Sequence, residues 1–528
     1  MSITGKQLIG GNWQAGDAGS YQAVNPATGE SIGPELSFAS EEQVRAATAA
    51  AAEAAPVFAT TSLEDRAAFL DACAEEIMAL GDALLERVSL ETGYPLARAE
   101  NERGRTCNQL KMFAGVVRAG DFLDVRIDSA LPERTPPRPD LRFVKQALGP
   151  IAVFGSSNFP LAFSAGGGDT ASALAAGCPV IVKSHNSHPG SGELVAQALA
   201  KAAEKCAMPA GVINFLAGEG NAIGAQLVTD AKVKAVGFTG SYRGGSALQQ
   251  LASNRPDPIP FFGEMGSINP LVVLPEALRA DAENIASGFV GSLTLGTGQF
   301  CVNPGLVFGI AGDELETFIN ATAQALNDQP AGVMLNQGVA GAYQKGADTL
   351  AQQSGVKQVA AGAEPGAQGY CGQARLYRVS AQDFLANLAL QEEVFGPTSL
   401  VVVCDNAAQL TEVTNALSGQ LTGTLHGTDA ELGQHASLIR ALEQRVGRLV
   451  FNGFPTGVEV CEAMMHGGPH PASSDTRFTS VGTAAIDRWL RPVCYQNSPA
   501  GVLPPALQDA NPWQLRRRVD GQWQTGSH

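Results

Sequence analysis

Short apolar runs alternate with helical segments through residues 151–238, and this alternation constrains the fold more than any other feature of the chain. Each run is long enough for one buried strand, and each connecting segment is long enough for a helix. The repeat therefore predicts strand–helix–strand units and a doubly wound parallel sheet. The runs are Ile151–Phe154, Val180–Lys183, Val212–Phe215 and Ala235–Phe238, and the helical segments are 168–176, 190–205 and 221–229.

A second block of the same kind covers about residues 265–450 and predicts another α/β domain. At 528 residues the chain is too long for a single core, so two large units suit its length. Ahead of the first block, residues 7–35 are expected to form hairpin strands, followed by amphipathic helices at 40–55 and 63–92. In the second block the runs are 270–274, 306–310, 400–403 and 448–451, and the helices are 280–296, 313–327 and 406–418.

Residues 129–140 contain four prolines, which exclude both a helix and a central strand. This segment is expected to be an excursion or arm ahead of the first sheet. Residues 482–495 end in a short extended piece that could pair with another subunit.

The bulk composition favours a globular protein that binds small molecules. The formal charge of −16 argues against nucleic acid or an anionic membrane as partner, because both attract clustered Lys and Arg. The N-terminus has no apolar run behind a basic segment. The nine cysteines are scattered and contain no Cys-x-x-Cys pair, so a reducing cytoplasm is the expected location.

Cys301 and Glu264 carry the strongest chemical signal. Cys301 lies in the turn-rich string Gly-Gln-Phe-Cys-Val-Asn-Pro-Gly at 298–305, where a thiol is accessible. Glu264, in Phe-Gly-Glu-Met-Gly at 262–266, could act as a base toward that thiol or toward a water. The pair indicates covalent catalysis, and the alternative is that Cys301 is a small buried hydrophobe.

A glycine-rich turn follows the run that ends at Phe238. Gly240, Ser241 and Gly244 belong to this turn, whose backbone N–H groups and following helix N-terminus suit a phosphate or pyrophosphate. A tight turn without a ligand would look the same. Lys183 ends an earlier strand, where it could contact a ribose hydroxyl or a phosphate or simply be solvated.

Two further segments are of interest only in combination with these. Asn158 follows the strand at 151–155 and could direct its amide at a developing oxyanion, or it could be a turn former. Glu393 and Phe395 lie in Gln-Glu-Glu-Val-Phe-Gly-Pro at 391–397, which alone is a polar loop. His466 and His470, near Cys461, do not predict a metal site, because their Gly-Gly-Pro spacer is not helical and no fourth ligand is evident.

Taken together, these segments resemble the aldehyde dehydrogenase superfamily over nearly the whole chain. Its motifs match Asn158, Lys183, Phe238–Gly245, Glu264, Cys301 and Glu393–Pro397 in order and approximate spacing. The resemblance implies NAD(P)-dependent oxidation of an aldehyde to a carboxylic acid. It assigns Cys301 as nucleophile, Glu264 as general base, Asn158 as oxyanion donor, and Lys183, Ser241, Glu393 and Phe395 as cofactor contacts.

The resemblance also implies two doubly wound domains and a small β oligomerisation arm. The dinucleotide-binding domain would comprise 1–125 and 150–263, and the catalytic domain 264–479. The arm and C-terminal tail would comprise 126–149 and 480–528, and would join a homodimer or homotetramer. The retained Glu264 argues against relatives that pass the acyl group to coenzyme A.

Three strings resemble one branch of the superfamily, the α-ketoglutarate semialdehyde (2,5-dioxopentanoate) dehydrogenases. They occupy residues 158–180, 453–460 and 466–472. The product would then be 2-oxoglutarate. The string Ser184-His185-Asn186 and the residue His470 depart from the usual pattern of that branch.

Cofactor and substrate preferences depend on single residues. NAD-preferring members often carry a glutamate three residues after the lysine, whereas Asn186 here is neutral. With Lys183 and Ser184 near a 2′-phosphate, the sequence favours NADP, with NAD possible. For a substrate carboxylate the candidate is Arg105, which could equally be a surface or interdomain residue. Phe159, Phe163 and Phe454 are candidate tunnel walls, although aromatic residues at such positions are often core.

Three other functions compete with this interpretation. A fatty or medium-chain aldehyde would suit an apolar tunnel. A catalytically idle dinucleotide-binding scaffold would keep the fold but would not need Cys301, Glu264 and Asn158. A cysteine hydrolase would leave the cofactor turn unused, and no histidine lies in a comparable sequence context.

Overall fold

The computed structural model describes residues 2–525. The strands are β1 (Gln7–Ile9), β2 (Asn12–Gln14), β3 (Ser20–Val24), β4 (Ser31–Ser37), β5 (Arg126–Asp128), β6 (Leu141–Ala147), β7 (Ile151–Phe154), β8 (Val180–Lys183), β9 (Ile213–Leu216), β10 (Ala235–Thr239), β11 (Phe261–Glu264), β12 (Pro270–Val273), β13 (Leu306–Ile310), β14 (Gly332–Val333), β15 (Lys357–Ala361), β16 (Cys371–Gly372), β17 (Arg375–Ser380), β18 (Thr398–Cys404), β19 (Gln420–His426), β20 (Val446–Phe451), β21 (Leu490–Gln496), β22 (Arg517–Val519) and β23 (Gln522–Gln524).

The helices are α1 (Glu41–Ala59), α2 (Leu63–Met78), α3 (Gly81–Thr92), α4 (Leu96–Ala119), α5 (Gly168–Ala176), α6 (Pro189–Lys205), α7 (Gly220–Thr229), α8 (Tyr242–Ser253), α9 (Pro275–Thr294), α10 (Asp313–Asn327), α11 (Gln337–Ala351), α12 (Ala381–Ala386), α13 (Ala407–Ala416), α14 (Asp429–Gln434) and α15 (Ala436–Glu443). Short 3₁₀ helices lie at Asp121–Leu123, Leu295–Gly298, Leu388–Gln391, Thr483–Trp489, Ala500–Val502 and Pro505–Leu507.

The first sheet has the strand order β11-β10-β7-β8-β9-β1-β2. Its strands from β7 to β11 are parallel, and β1 and β2 extend one edge in antiparallel fashion. The predicted runs form β7, β8, β9 and β10, and β7, β8 and β9 are buried along their whole length because helices cover both faces. The strand order reverses beside β7, so the crevice at the carboxyl ends of β7 and β10 is the expected ligand position of such a sheet.

The second sheet has the order β15-β17-β18-β13-β12-β19-β20, parallel except for β15. The sequence predicted β12, β13, β18 and β20 but not β19, which is buried throughout although it contains Gln420, Thr422 and Thr424. Its polar groups are satisfied internally: the side-chain amide oxygen Oε1 of Gln420 accepts hydrogen bonds from the backbone N–H groups of Ile268 and Asn269 at 2.6 and 3.2 Å. Because paired polar residues can be buried, they interrupt the apolar run by which a buried strand is recognised in a sequence.

The peripheral helices differ in one respect from the prediction. The segment 63–92 forms two helices, α2 and α3, because Gly81 adopts a positive φ of 59° between them. Ser62 caps α2 as expected, with its hydroxyl accepting from the N–H of Asp65. The long helix α4 packs against α2 and ends at Gly120 in the left-handed conformation. It carries Arg98 and Arg105, which are two turns apart and share one face.

A third sheet, with the order β21-β6-β5-β22-β23, forms the arm. β6 and β21 pair along their full length. Residues 129–140 contain only the isolated bridge between Leu131 and Arg138 within the described chain, as the prolines predict. These sheets confirm the predicted α/β class, while the role of the arm in oligomerisation stays a prediction. Among residues 2–525, no helix combines the length and apolar composition that crossing a membrane requires.

Candidate active site

The carboxyl ends of neighbouring strands bring the predicted site residues together. Asn158 follows β7, Lys183 ends β8, Ser241 follows β10, and Glu264 ends β11. Because these strands are parallel, all four residues lie at one edge of the first sheet. Cys301 reaches the same place from the 3₁₀ turn that follows α9. The thiol, which comes just before β13 of the second sheet, therefore lies at an edge of the first sheet.

A cleft with two compartments runs along this edge. One compartment, of about 340 Å³, is lined by Asn158, Glu264, Cys301, Glu393 and Phe395 among others. The other, of about 540 Å³, is lined by Lys183, His185 and Gly244 among others. Both are lined by Ser157, Thr239, Gly240 and Ser241, so the two compartments adjoin at these residues.

The N-terminus of α8 faces this cleft. Ser241 is the N-cap residue, and its hydroxyl accepts from the N–H of Gly244 at 3.2 Å. A Cβ at Gly240 would lie 2.8 Å from the Phe238 ring, and one at Gly245 would lie 2.8 Å from the Met265 sulfur. The glycine N–H groups of this turn are already bonded, Gly240 to the Glu264 carbonyl oxygen and Gly245 to the Ser241 carbonyl oxygen. The first N–H groups of α8, at Tyr242 and Arg243, have no intrahelical acceptor and suit an anion such as a pyrophosphate.

The three residues predicted as cofactor contacts at the end of β8, Lys183, Ser184 and Asn186, take different positions in the structure. Lys183 is buried at the cleft wall, and burial lowers the pKa of its ammonium group to about 8. The Ser184 hydroxyl is buried toward Gly192 instead, and Asn186 is exposed outside the residues that line either compartment. His185 lines the cleft although the sequence did not select it.

The Cys301 thiol lies next to two titratable groups. Its sulfur is 3.4 Å from Nε2 of His466, and the same nitrogen is 3.0 Å from Oε1 of Glu264. The hydroxyl of Ser480 donates to the other carboxylate oxygen of Glu264 at 2.5 Å. Burial, and then the nearby Glu264 carboxylate, raise the pKa of the Cys301 thiol well above its ordinary value.

The Glu264 carboxylate is kept ionised in spite of its burial. Burial raises the pKa of this carboxyl, but the contacts from His466, Ser480 and Cys301 outweigh it and hold the pKa below its ordinary value. The 3.0 Å contact needs a proton between Nε2 and Oε1, because two lone pairs would repel each other at that distance. The ionised carboxylate therefore places that proton on Nε2 of His466.

The opposite tautomer of His466 is disfavoured by the surroundings of its other nitrogen. Nδ1 is buried and has no hydrogen-bond partner within residues 2–525. A proton there would leave an unsatisfied N–H, at a cost of about 1–3 kcal/mol. The imidazole thus directs the N–H of Nε2 toward Glu264 and Cys301.

Asn158 is held at its backbone and lines the same compartment as Cys301. Its carbonyl oxygen accepts from the hydroxyl of Tyr94 and from Nη2 of Arg98, each at 3.1 Å. Its side-chain amide donates to the carbonyl oxygen of Gln299 at 3.0 Å, which uses one of the two N–H groups. The second N–H can serve as a donor toward the compartment.

Glu393 and Phe395 face the thiol across the cleft. The Glu393 side chain is exposed at the rim of this compartment, and its carboxylate lies against the Gly266 backbone, where a Cβ would lie 2.5 Å from Oε2. Gly298, with a φ of +64°, packs against the Gly396 backbone so closely that a Cβ would lie 2.3 Å from its carbonyl carbon. The loop that carries the thiol is therefore fixed against the Glu393–Pro397 loop.

Aromatic rings form a wall beside Cys301. The Phe159 ring lies 5.4 Å from that of Phe163 and 5.3 Å from that of Phe300. The Arg105 guanidinium lies over the Phe163 ring at 5.3 Å. Phe454 does not join this wall, because it packs in the second domain against His426 and close to Gly288.

The half-buried Arg105 has unused hydrogen-bonding capacity. Its Nε and Nη2 atoms are buried and have no partner in the described chain. Burial lowers the pKa of this guanidinium, while the fields of Glu102, Cys301 and Glu264 act in the opposite direction. Arg105 is thus a cation placed near the thiol without an anion bound to it.

The histidines of the 466–470 string do not come together with Cys461. His470 is exposed and lies edge-on to Tyr242, whereas His466 is buried beside the thiol. Among residues 2–525, the group with enough potential metal donors is Glu264, Cys301 and His466, whose atoms lie within 4.8 Å of one another. These atoms are engaged with each other at hydrogen-bond distances.

Comparison with known proteins decides the family. The model of the aldehyde dehydrogenase family matches residues 13–490. The chain belongs to the aldehyde dehydrogenase family. It is therefore an aldehyde-oxidising oxidoreductase.

Two relatives match this aldehyde dehydrogenase over nearly the whole length of each chain. Alpha-ketoglutaric semialdehyde dehydrogenase 2 from Azospirillum brasilense is 53% identical over 99% of both chains. Alpha-ketoglutaric semialdehyde dehydrogenase from Acinetobacter baylyi is 46% identical over 98% of both. Betaine aldehyde dehydrogenase from Staphylococcus aureus, solved in complex with NAD⁺, is 20% identical, covers 94% of this chain and 98% of its own, and superposes with a TM-score of 0.81. At that identity the similarity shows the fold.

Sequence reasoning missed several residues of this aldehyde dehydrogenase site. His466 was considered only as a metal ligand, and Ser480, Arg98 and Tyr94 were not considered. A signal existed for Arg98, because it stands seven residues before Arg105 on one helix. His466 and Ser480 gave no signal, since each meets Glu264 across more than 200 residues of sequence.

Proposed function

We propose that this aldehyde dehydrogenase oxidises α-ketoglutarate semialdehyde (2,5-dioxopentanoate) to 2-oxoglutarate through a thiohemiacetal and a thioester on Cys301. The names of the two full-length relatives support this substrate. The observation that carries the proposal is the free guanidinium of Arg105 beside the aromatic wall.

Arg105 favours a charged aldehyde over an apolar one. A half-buried cation without a partner is poorly matched to the alkyl chain of a medium-chain aldehyde. A substrate carboxylate would supply the missing acceptor for Nε and Nη2 in a charge-assisted pair. The wall formed by Phe159, Phe163 and Phe300 would enclose the carbon chain between that carboxylate and the reacting carbonyl.

The residues around the thiol support the chemical steps. The Cys301 thiolate attacks the aldehyde carbon, and the resulting oxyanion accepts hydrogen bonds from the Asn158 amide and the backbone N–H of Cys301. A bound nicotinamide dinucleotide supplies the hydride acceptor. Glu264, ionised and within reach of the thiol, takes a proton from the water that hydrolyses the thioester.

The substrate assignment is tested by replacing Arg105 with methionine. We expect kcat/KM for 2,5-dioxopentanoate to fall by about 10–100-fold, because a hydrogen-bonded charge pair contributes about 1.5–3 kcal/mol. The value for hexanal should stay within about threefold, since hexanal has no carboxylate. Initial rates of NADPH or NADH formation give, for each aldehyde, the ratio of kcat/KM in the variant to kcat/KM in the wild type.

Lys111→Met provides the matched control, because Lys111 is an exposed cation on the same helix. It should leave both ratios unchanged. An equal loss for both aldehydes in Arg105→Met, or a wild-type preference for hexanal, would contradict the assignment and favour an apolar substrate.

We further propose NADP as the favoured cofactor. The neutral Asn186 leaves no carboxylate to repel a 2′-phosphate, and Lys183 provides a cation at the cleft wall. Asn186→Glu should weaken NADPH binding by tenfold or more, about 1.4 kcal/mol, and change NADH binding by less than about threefold.

Fluorescence titration of the unreacted enzyme measures both affinities without turnover. Asn186→Gln is the matched control, since it lengthens the side chain without adding charge, and both affinities should stay near those of the wild type. Tighter binding of NADH than of NADPH to the wild type, or no effect of Asn186→Glu, would show that position 186 does not set the preference.

A further inference from the structure

His466, Cys301 and Glu264 form a cluster in which the imidazole Nε2 faces two groups that can carry negative charge, the sulfur and the carboxylate. Nε2 of His466 lies 3.0 Å from Oε1 of Glu264 and 3.4 Å from the sulfur of Cys301. A base that relayed a proton from thiol to carboxylate would use its two nitrogens, one toward each group. Here a single nitrogen faces both, and Nδ1 has no partner in the described chain.

His466 is fixed in this position by its loop. Its backbone N–H donates to the Thr479 hydroxyl at 2.8 Å. Two residues on, a Cβ at Gly468 would lie 2.1 Å from the Gln420 carbonyl oxygen, so the loop lies directly on strand β19. The Phe163 ring lies 6.3 Å from the imidazole on the substrate side. The imidazole therefore reaches the sulfur and the carboxylate without a change of backbone.

We propose that the Nε2–H of His466 is a shared hydrogen-bond donor that stabilises Cys301 in its thiolate form. The N–H bonds to Glu264 while that carboxylate is ionised and Cys301 is a thiol. When the thiol proton passes to Glu264, the negative charge moves to sulfur, and the same N–H donates to the sulfur. His466 acts as a catalytic residue because its Nε2 lies 3.4 Å from the reacting sulfur. This inference rests on the proposed thiohemiacetal chemistry.

The protons balance over the cycle. The first proton leaves the thiol for Glu264 and is then released to solvent, so that Glu264 is ionised again before hydrolysis. The thiolate forms the C–S bond, and hydride leaves with the dinucleotide. Water then adds to the thioester while Glu264 takes one of its protons, and the C–S bond breaks to regenerate a thiolate bonded to His466. Glu264 returns its proton to the sulfur.

A comparison of two substitutions separates a donor from a base. His466→Gln keeps a side-chain N–H that reaches the same position but cannot take up a proton, whereas His466→Leu removes the donor. Alkylation of Cys301 by iodoacetamide is followed by peptide mass spectrometry near neutral pH, without aldehyde or cofactor. We expect the rate to fall at least about tenfold in His466→Leu and to return to within about threefold of the wild type in His466→Gln.

Cys461 serves as an internal reference in each sample, because it is exposed and does not line the compartment that contains Cys301. A rate in His466→Gln as low as in His466→Leu would overturn the proposal and indicate that the imidazole itself titrates. A wild-type rate in His466→Leu would also overturn it.

The rate of the pre-steady-state burst of NADPH formation after mixing with aldehyde provides a second readout on the same variants. The burst rate should follow the alkylation rate, and a slow burst in His466→Gln would contradict the donor role even if His466→Leu does not fold. If the wild type gives no burst with any aldehyde, the proposed function fails, while the alkylation comparison still decides the role of His466.

Discussion

Cys301→Ala is expected to lower aldehyde oxidation by at least about 10⁴-fold while leaving dinucleotide binding intact. No other thiol can replace it, because Cys301 is the cysteine that lines the cleft beside Asn158 and Glu264. Loss of the sulfur removes both the thiohemiacetal and the thioester, so no partial reaction remains. Steady-state NADPH formation and fluorescence titration with NADPH measure the two quantities on one preparation.

Cys461→Ala and Cys494→Ala are the matched controls, since both cysteines are exposed and outside the cleft. They should keep full activity. Appreciable turnover by Cys301→Ala would eliminate covalent catalysis at this residue, and loss of NADPH binding in the same variant would indicate a folding defect rather than a missing nucleophile.

The sequence predicted the parts of the site that follow directly from strand ends. Asn158, Lys183 and Ser241 each follow or end a predicted apolar run, and parallel strands necessarily bring their carboxyl ends to one edge. Glu264 ends β11, a strand that the sequence analysis did not predict. The runs were visible because both faces of this sheet are covered, which demands continuous apolar residues. Strands β7, β8, β9 and β10 of the first sheet were therefore predictable from local patterns.

The second sheet was less predictable because polar groups are paired inside it. β19 contains Gln420, Thr422 and Thr424, and Asn269 accepts hydrogen bonds from the backbone and the hydroxyl of Thr422 at 3.2 and 3.0 Å. Pairing of this kind joins residues about 150 positions apart and is invisible in a local window. The same limit applies to His466, which meets Cys301 across 165 residues and Glu264 across 202.

The sequence also did not predict the direction in which individual side chains point. Lys183, Ser184 and Asn186 are close in sequence, but successive side chains leave a strand on opposite faces. Lys183 therefore lines the cleft while the Ser184 hydroxyl faces Gly192. Phe454 illustrates the same point, because a resemblance places the segment near the substrate but does not fix which way the ring points.

Glu264→Gln should divide the reaction into a first half that proceeds and a second half that stops. We expect one equivalent of NADPH per active site in a burst, followed by steady-state turnover about 10²–10⁴-fold below the wild type. The amide cannot take a proton from water, so the thioester accumulates. Because the glutamine also removes the acceptor for the thiol proton, the burst should be slower than in the wild type but complete in amplitude.

Intact mass spectrometry after one burst detects the acyl group on the protein, and peptide mapping should place it on Cys301. Ser480→Ala is the matched control: it removes the 2.5 Å hydrogen bond to Glu264 but keeps the carboxylate, and should cost less than about tenfold in turnover. Full turnover in Glu264→Gln would mean that another group activates the water. Glu393 is then the candidate, because its carboxylate lines the same compartment as Cys301 and can accept a proton from water.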